Sequence, residues 1–205
     1  MTIFTLIVLF AGAFAYLAAT IVAVVFLLHE KQVFLHLGRR LSLMGMAAFL
    51  LVFVLRWATW GNLPMTTVAD ALVVFVLFAT LVMFGSARGK TEAVSSFYLP
   101  PILVLALLCT GTAPAAFAHA PKALRGVFLA GHVSLAFLAY AFFLGAGVTS
   151  VAYLFQAHHL KNHQTRGLFQ TLPSLERLDK SLYLLIRYGY IVFALTLLVG
   201  GIWVR

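Results

Sequence analysis

Charge is what this sequence has least of. Only 9% of its 205 residues are charged, and five of them are acidic. A soluble domain carries about 25% charged residues. With 63% hydrophobic residues, the chain lacks the polar groups that a water-facing surface needs. Cysteine is nearly missing as well. The single Cys109 excludes an intrachain disulfide, a thiolate-based metal site and a CxxC redox pair. There is no GxxxxGK[ST] phosphate loop, which argues against nucleotide-driven transport by this chain alone. No Ser-His-Asp context stands out. Paired carboxylates are absent from the apolar runs, so a carboxylate proton relay has no basis.

What is present is apolar sequence in long continuous runs. Within hydrocarbon every backbone N–H and C=O must be paired internally, so only helices or closed barrels cross. The runs lack the apolar–polar alternation of barrel strands. About 20 helical residues span the roughly 30 Å core. Six segments meet that need, at about 3–28, 42–58, 67–85, 98–113, 127–157 and 182–203. Pro100-Pro101 falls at the start of the fourth, where a missing N–H costs least. The expected fold is all-α: a polytopic integral membrane protein of about six transmembrane helices, forming one domain over residues 1–205. The first run lacks a basic leader and a cleavage site, so it is expected as a retained helix.

A net charge of +9 suggests nucleic acid at first sight. The basic residues instead lie between apolar runs, where they set topology. Nine of them fall in alternate loops: Lys31, Arg39 and Arg40; Arg88 and Lys90; Lys161, Arg166, Arg177 and Lys180. Lys122 and Arg125 lie in the fourth loop, and Arg56 and Arg205 at helix ends facing the same way. The positive-inside rule puts the first, third and fifth loops in the cytoplasm and both termini outside. The expected partner is therefore the lipid bilayer and not nucleic acid. The fifth helix is expected to run past the bilayer surface through Gln156. An amphipathic turn is expected near Pro173-Ser174, with Glu176 suited to its first turn.

Several residues are candidates for chemistry. His132 lies about five residues, roughly 7–8 Å, inside the outer end of the fifth helix. An imidazole there either bonds a neighbouring helix or serves as an axial iron ligand. Gly131 and Ala136 leave room beside it. Trp57, Trp60 and Trp203 all fall at outer helix ends. They form an interfacial belt or the wall of a large apolar ligand site. Arg56 and Asp70 flank one outer hairpin, which suggests an ion pair, or Arg56 as the partner of a carboxylate ligand. His159 and His163 have i, i+4 spacing beside His158, but no acidic or cysteine ligand accompanies them. His29 and His36 read as a wet inner surface. His119, in the outer loop 114–121, is within range of an outer ligand.

Four stretches resemble one family. Arg56-Trp-Ala-Thr-Trp-Gly-Asn-Leu-Pro64, followed by Thr66–Leu72, resembles the outer hairpin of CcsA/ResC-type cytochrome c biogenesis proteins. Gly131–Tyr140 is similar to that family's His-Val-Ser helix. Leu172-Pro-Ser-Leu-Glu-Arg-Leu-Asp179 is similar to its inner-loop motif. Gly189 to Trp203, ending Val199-Gly-Gly-Ile-Trp203, resembles its Gly-x-x-Trp helix. HemX/YpjD-type membrane proteins share the layout. The resemblance covers about residues 50–205. It departs at Asp70, where the family generally has glutamate. The tryptophan-rich WWD loop that follows in the family is not in this sequence, which is expected to be an N-terminal portion.

The resemblance implies a haem-handling role in system II cytochrome c maturation. His132 is the implied axial ligand of the haem iron, with Arg56, Trp57, Trp60 and Trp203 around the macrocycle. The implied cofactor is haem b, held transiently as a substrate. The implied partners are a CcsB/ResB-type membrane protein and an apocytochrome c. Catalysis is implied at most as part of a haem-attachment complex. The implied location is a bacterial inner membrane. Two other readings stay open: a HemX-like regulator or scaffold of haem biosynthesis without haem ligation, and a small-molecule channel or transporter.

Overall fold

In the bundle, glycines and aromatics on facing helices settle which helices touch and in which direction each runs. A computed structural model describes residues 3–29, 31–60, 68–86, 127–161 and 172–203. They form five helices: α1 (Ile3–His29), α2 (Gln32–Trp60), α3 (Val68–Ser86), α4 (Val127–Lys161) and α5 (Leu175–Trp203). No strand occurs among the described residues. Ile3–Phe26, Gln32–Thr59, Ala130–Lys161 and Leu175–Ile202 are each long and apolar enough to cross a bilayer, and Asp70–Gly85 is a shorter apolar helix. The chain is an all-α, multi-pass membrane protein. The expected segment at 98–113 lies outside the described residues.

α1 and α2 form an antiparallel pair with reciprocal aromatic-on-glycine packing. A Cβ at Gly12 would lie 2.7 Å from the Phe49 ring, and one at Gly45 would lie 2.7 Å from the Tyr16 ring. Each glycine lets the opposite helix seat its aromatic ring, the close approach that small residues permit in membranes. The two rings meet at 5.6 Å. Tyr16 then reaches α3. Thr80 Oγ1 donates to the Val76 carbonyl at 2.8 Å, so it accepts from the Tyr16 hydroxyl at 2.7 Å. A buried phenol in hydrocarbon needs such a partner.

α2 and α3 are antiparallel as well, with Arg56 paired to Asp70 near one end and Arg39 over the Phe84 ring near the other. α3 and α4 run parallel. Phe75 meets Phe137, and Met83 lies against Gly145; the residue numbers differ by 62 in both pairs. α5 returns antiparallel along α4, since Leu185 faces Gly145, Gly189 faces Phe142 and Phe143, and Gly200 faces His132. The starts of α1, α3 and α4 therefore share one end of the bundle with the ends of α2 and α5. Because α3 and α4 are parallel, α3 finishes at the end of the bundle opposite to where α4 begins.

Two boundaries differ from expectation. α2 starts at Gln32, about ten residues early, so Arg39 and Arg40 stand on a helix and not in a loop. Gln32–Leu41 contains no proline to stop a helix, and long basic side chains reach headgroups from within one. α5 starts at Leu175, so the expected amphipathic turn is the first turn of the last helix itself. The backbone N–H groups of Arg177 and Leu178 bond to the Ser174 carbonyl, and Glu176 sits in the first turn. α4 continues past Gln156 to Lys161, as expected. The described basic residues Lys31, Arg39, Arg40, Lys161, Arg177 and Lys180 all gather at one end of the bundle. Arg187 stands within the last span, where the loop-based reading places no charge.

Candidate functional site

The other end of the bundle carries His132, Arg56, Asp70 and Trp57. His132 is on the second turn of α4, half-buried against α5. Its Nδ1 lies 3.0 Å from the backbone carbonyl oxygen of Thr196. A carbonyl only accepts, so Nδ1 carries the proton and donates it. The neutral ring then has its lone pair on Nε2. Thr196 is buried and turns its own hydroxyl back to the Val192 carbonyl at 2.9 Å. Gly200 completes the seat, for a Cβ there would lie 2.8 Å from His132 Cε1 and 3.0 Å from Nδ1. On the other flank, a Cβ at Gly131 would meet nothing among the described residues within 4 Å.

Arg56 and Asp70 are brought together as the hairpin suggests. The guanidinium Nη1 donates to Asp70 Oδ1, with side-chain exposures of 11% and 2%. Burial on this scale demands a partner for each charge, and the pair supplies it. The α3–α4 offset of 62 residues also holds between Asp70 and His132, which places the ion pair level with the imidazole. A polar layer thus crosses this end of the bundle: Arg56 on α2, Asp70 on α3, His132 on α4 and the Thr196 carbonyl on α5.

A family model described as cytochrome C assembly protein matches residues 7–205. The chain belongs to the cytochrome c assembly protein family. It is therefore a membrane protein with a role in cytochrome c maturation. Membership extends well N-terminal of the resemblance seen from residue 50. Neither the curated proteins nor the solved structures offer a match.

The remaining candidates of this assembly-family chain divide clearly. Trp57 is half-exposed at the same end as His132. Trp60 and Trp203 end their helices there, but their side chains lie outside the described residues. His159 Nδ1 donates to the Phe155 carbonyl at 3.0 Å, and its ring rests 4.1 Å from that of Phe155, at the opposite end of the bundle. His29 bonds the Val25 carbonyl in the same way at 3.2 Å. His163 and His119 lie outside the described residues. Among the described residues no three His, Cys, Asp or Glu side chains converge on a possible metal position. Thr196 has no separate signal in the sequence, and Gly200 is marked there only as the glycine of the Gly-x-x-Trp stretch. Only the α4–α5 register, which depends on their tertiary pairing, shows them to be the seat of His132.

Proposed function

We propose that this assembly-family protein holds haem b transiently at the outer face of a bacterial inner membrane, with His132 Nε2 as an axial ligand of the iron. The observation that carries the reading is the hydrogen bond from His132 Nδ1 to the Thr196 carbonyl. A metal-binding histidine commonly donates its other N–H to a carbonyl or carboxylate, which fixes the tautomer and aims the ring. The same bond is what a purely structural histidine makes. The family's role in cytochrome c maturation weighs toward the ligand, as does the lack of a neighbour at Gly131 among the described residues.

Haem is the cargo in this account, presented for covalent attachment to apocytochrome c within a system II complex containing a CcsB/ResB-type membrane protein. This chain's own residues bind and orient. Thr196 and Gly200 set the plane of the imidazole. Asp70 holds Arg56 at the same height, and a guanidinium recognises carboxylates such as a propionate through paired N–H donors. Trp57, half-exposed at this end, supplies apolar surface at the outer rim. Both termini face outward with the basic end in the cytoplasm.

The direct test is haem content by pyridine haemochrome in purified protein, comparing His132→Ala with His159→Ala. Loss in the first and retention in the second is expected. Equal haem in both discards His132 as the ligand. A protein that carries no haem in any form fits a HemX-like regulator instead.

A further inference from the structure

Arg187 is exposed on α5 although it lies inside the apolar stretch of that helix. Twenty residues back from Trp203, about 30 Å of helix, bring the chain to Tyr183. Arg187 is thus about 6 Å inside the cytoplasmic boundary. The helix registers agree. Arg187 is level with the neighbourhood of Gly145 on α4, hence with Met83 on α3, hence with about Arg40 on α2. Arginines on α2 and α5 therefore stand at one height near the basic end of the bundle.

The surroundings of Arg187 are specific. Tyr183 and Tyr190, at i−4 and i+3, share its face and are 64% and 69% exposed. Tyr188 lies beside it, with the guanidinium 6.0 Å from its ring. Leu184, Ile186 and Ile191 are exposed around them. Side chains on a helix tilt toward its N-terminus, and for α5 that is the cytoplasmic end. An arginine about 6 Å deep with that tilt delivers its head to the level of lipid phosphates. We propose that Arg187, with Tyr183, forms a binding site for the phosphate of an anionic phospholipid in the cytoplasmic leaflet.

The guanidinium binds phosphate through paired N–H donors. The Tyr183 hydroxyl, one turn nearer the surface, donates beside it, while Tyr190, one turn deeper, joins the leucine and isoleucines against the acyl chains. A carboxylate on a partner's transmembrane helix is the competing occupant. It would itself have to be buried in hydrocarbon, whereas the phosphate already lies at the surface that Arg187 reaches. The site lies at the opposite end from His132 and does not depend on the haem reading.

The experiment uses the purified full chain in nanodiscs of phosphatidylcholine containing a minor fraction of phosphatidylglycerol. Native mass spectrometry counts the lipids that stay bound. Arg187→Gln should lower retained phosphatidylglycerol about tenfold with phosphatidylcholine unchanged. Arg187→Lys should keep part of it, and Arg177→Gln, at the exposed start of α5, should match wild type. Helix content by circular dichroism confirms that each variant is folded. Wild-type retention in Arg187→Gln overturns the proposal. Equal loss in Arg177→Gln also overturns it, because diffuse charge attraction would then be the cause. So does unchanged lipid retention combined with loss of an acidic membrane partner.

Discussion

Gly200→Ala is the sharpest perturbation of the His132 seat. The added Cβ would stand 2.8 Å from His132 Cε1 and 3.0 Å from Nδ1, closer than packed atoms tolerate, so the imidazole has to move. Movement away from α5 breaks the bond to the Thr196 carbonyl. The lost hydrogen bond costs about 0.5–1.5 kcal/mol, and overpacking typically adds about 1–3 kcal/mol. Alanine in place of glycine in a helix returns up to about 1 kcal/mol. Gly201→Ala isolates that last effect, since a Cβ there meets nothing within 4 Å. The helix gain is common to both variants and cancels, so the expected difference between them is about 3 kcal/mol, with Gly200→Ala the less stable. Thermal unfolding in detergent reads the stability, and nitrogen-15 chemical shifts of the imidazole read the tautomer. If the two variants melt together and His132 keeps its proton on Nδ1 in both, the packing of His132 on Gly200 is wrong.

Other perturbations follow from the same geometry. Asp70→Asn leaves Arg56 buried without its carboxylate and should destabilise the protein by about 3 kcal/mol, and Arg56→Gln in the same chain should recover much of it in thermal melts. Tyr16→Phe removes the bond to Thr80 and should cost about 1 kcal/mol, read by unfolding in a denaturing detergent. Glu176→Gln should leave the melting temperature unchanged, because its pair with Lys180 is exposed on both sides. A periplasmic reporter fused after Arg205 should be active, and cytoplasmic activity would reverse the orientation of the His132 end.

Much of this was open to a sequence reader, for identifiable physical reasons. Runs as apolar as Ile3–Phe26 have one solution in a bilayer, so helix existence follows from composition. Boundaries are less constrained. Hydropathy sees where lipid ends, while α2 and α5 continue as helices into water at Gln32 and Leu175. The Arg56–Asp70 pair was legible because a short hairpin holds both at one depth and each charge needs a partner. The position of His132 was legible, but its seat was not. Thr196 is 64 residues away from it in sequence, and no local pattern announces a backbone carbonyl as an acceptor. Arg187 escaped because charges were read in loops, whereas a snorkelling arginine sits within the span.

The central claim is that His132 Nε2 is offered to a haem iron, and replacing the ring with free imidazole tests it most directly. In purified His132→Gly protein, the reduced-haem absorbance should fall, and added imidazole should restore part of it by entering the vacated seat. Unchanged haem content and an unchanged spectrum in that variant would contradict the account, and His132 would then be a histidine that ties α4 to α5 and nothing more.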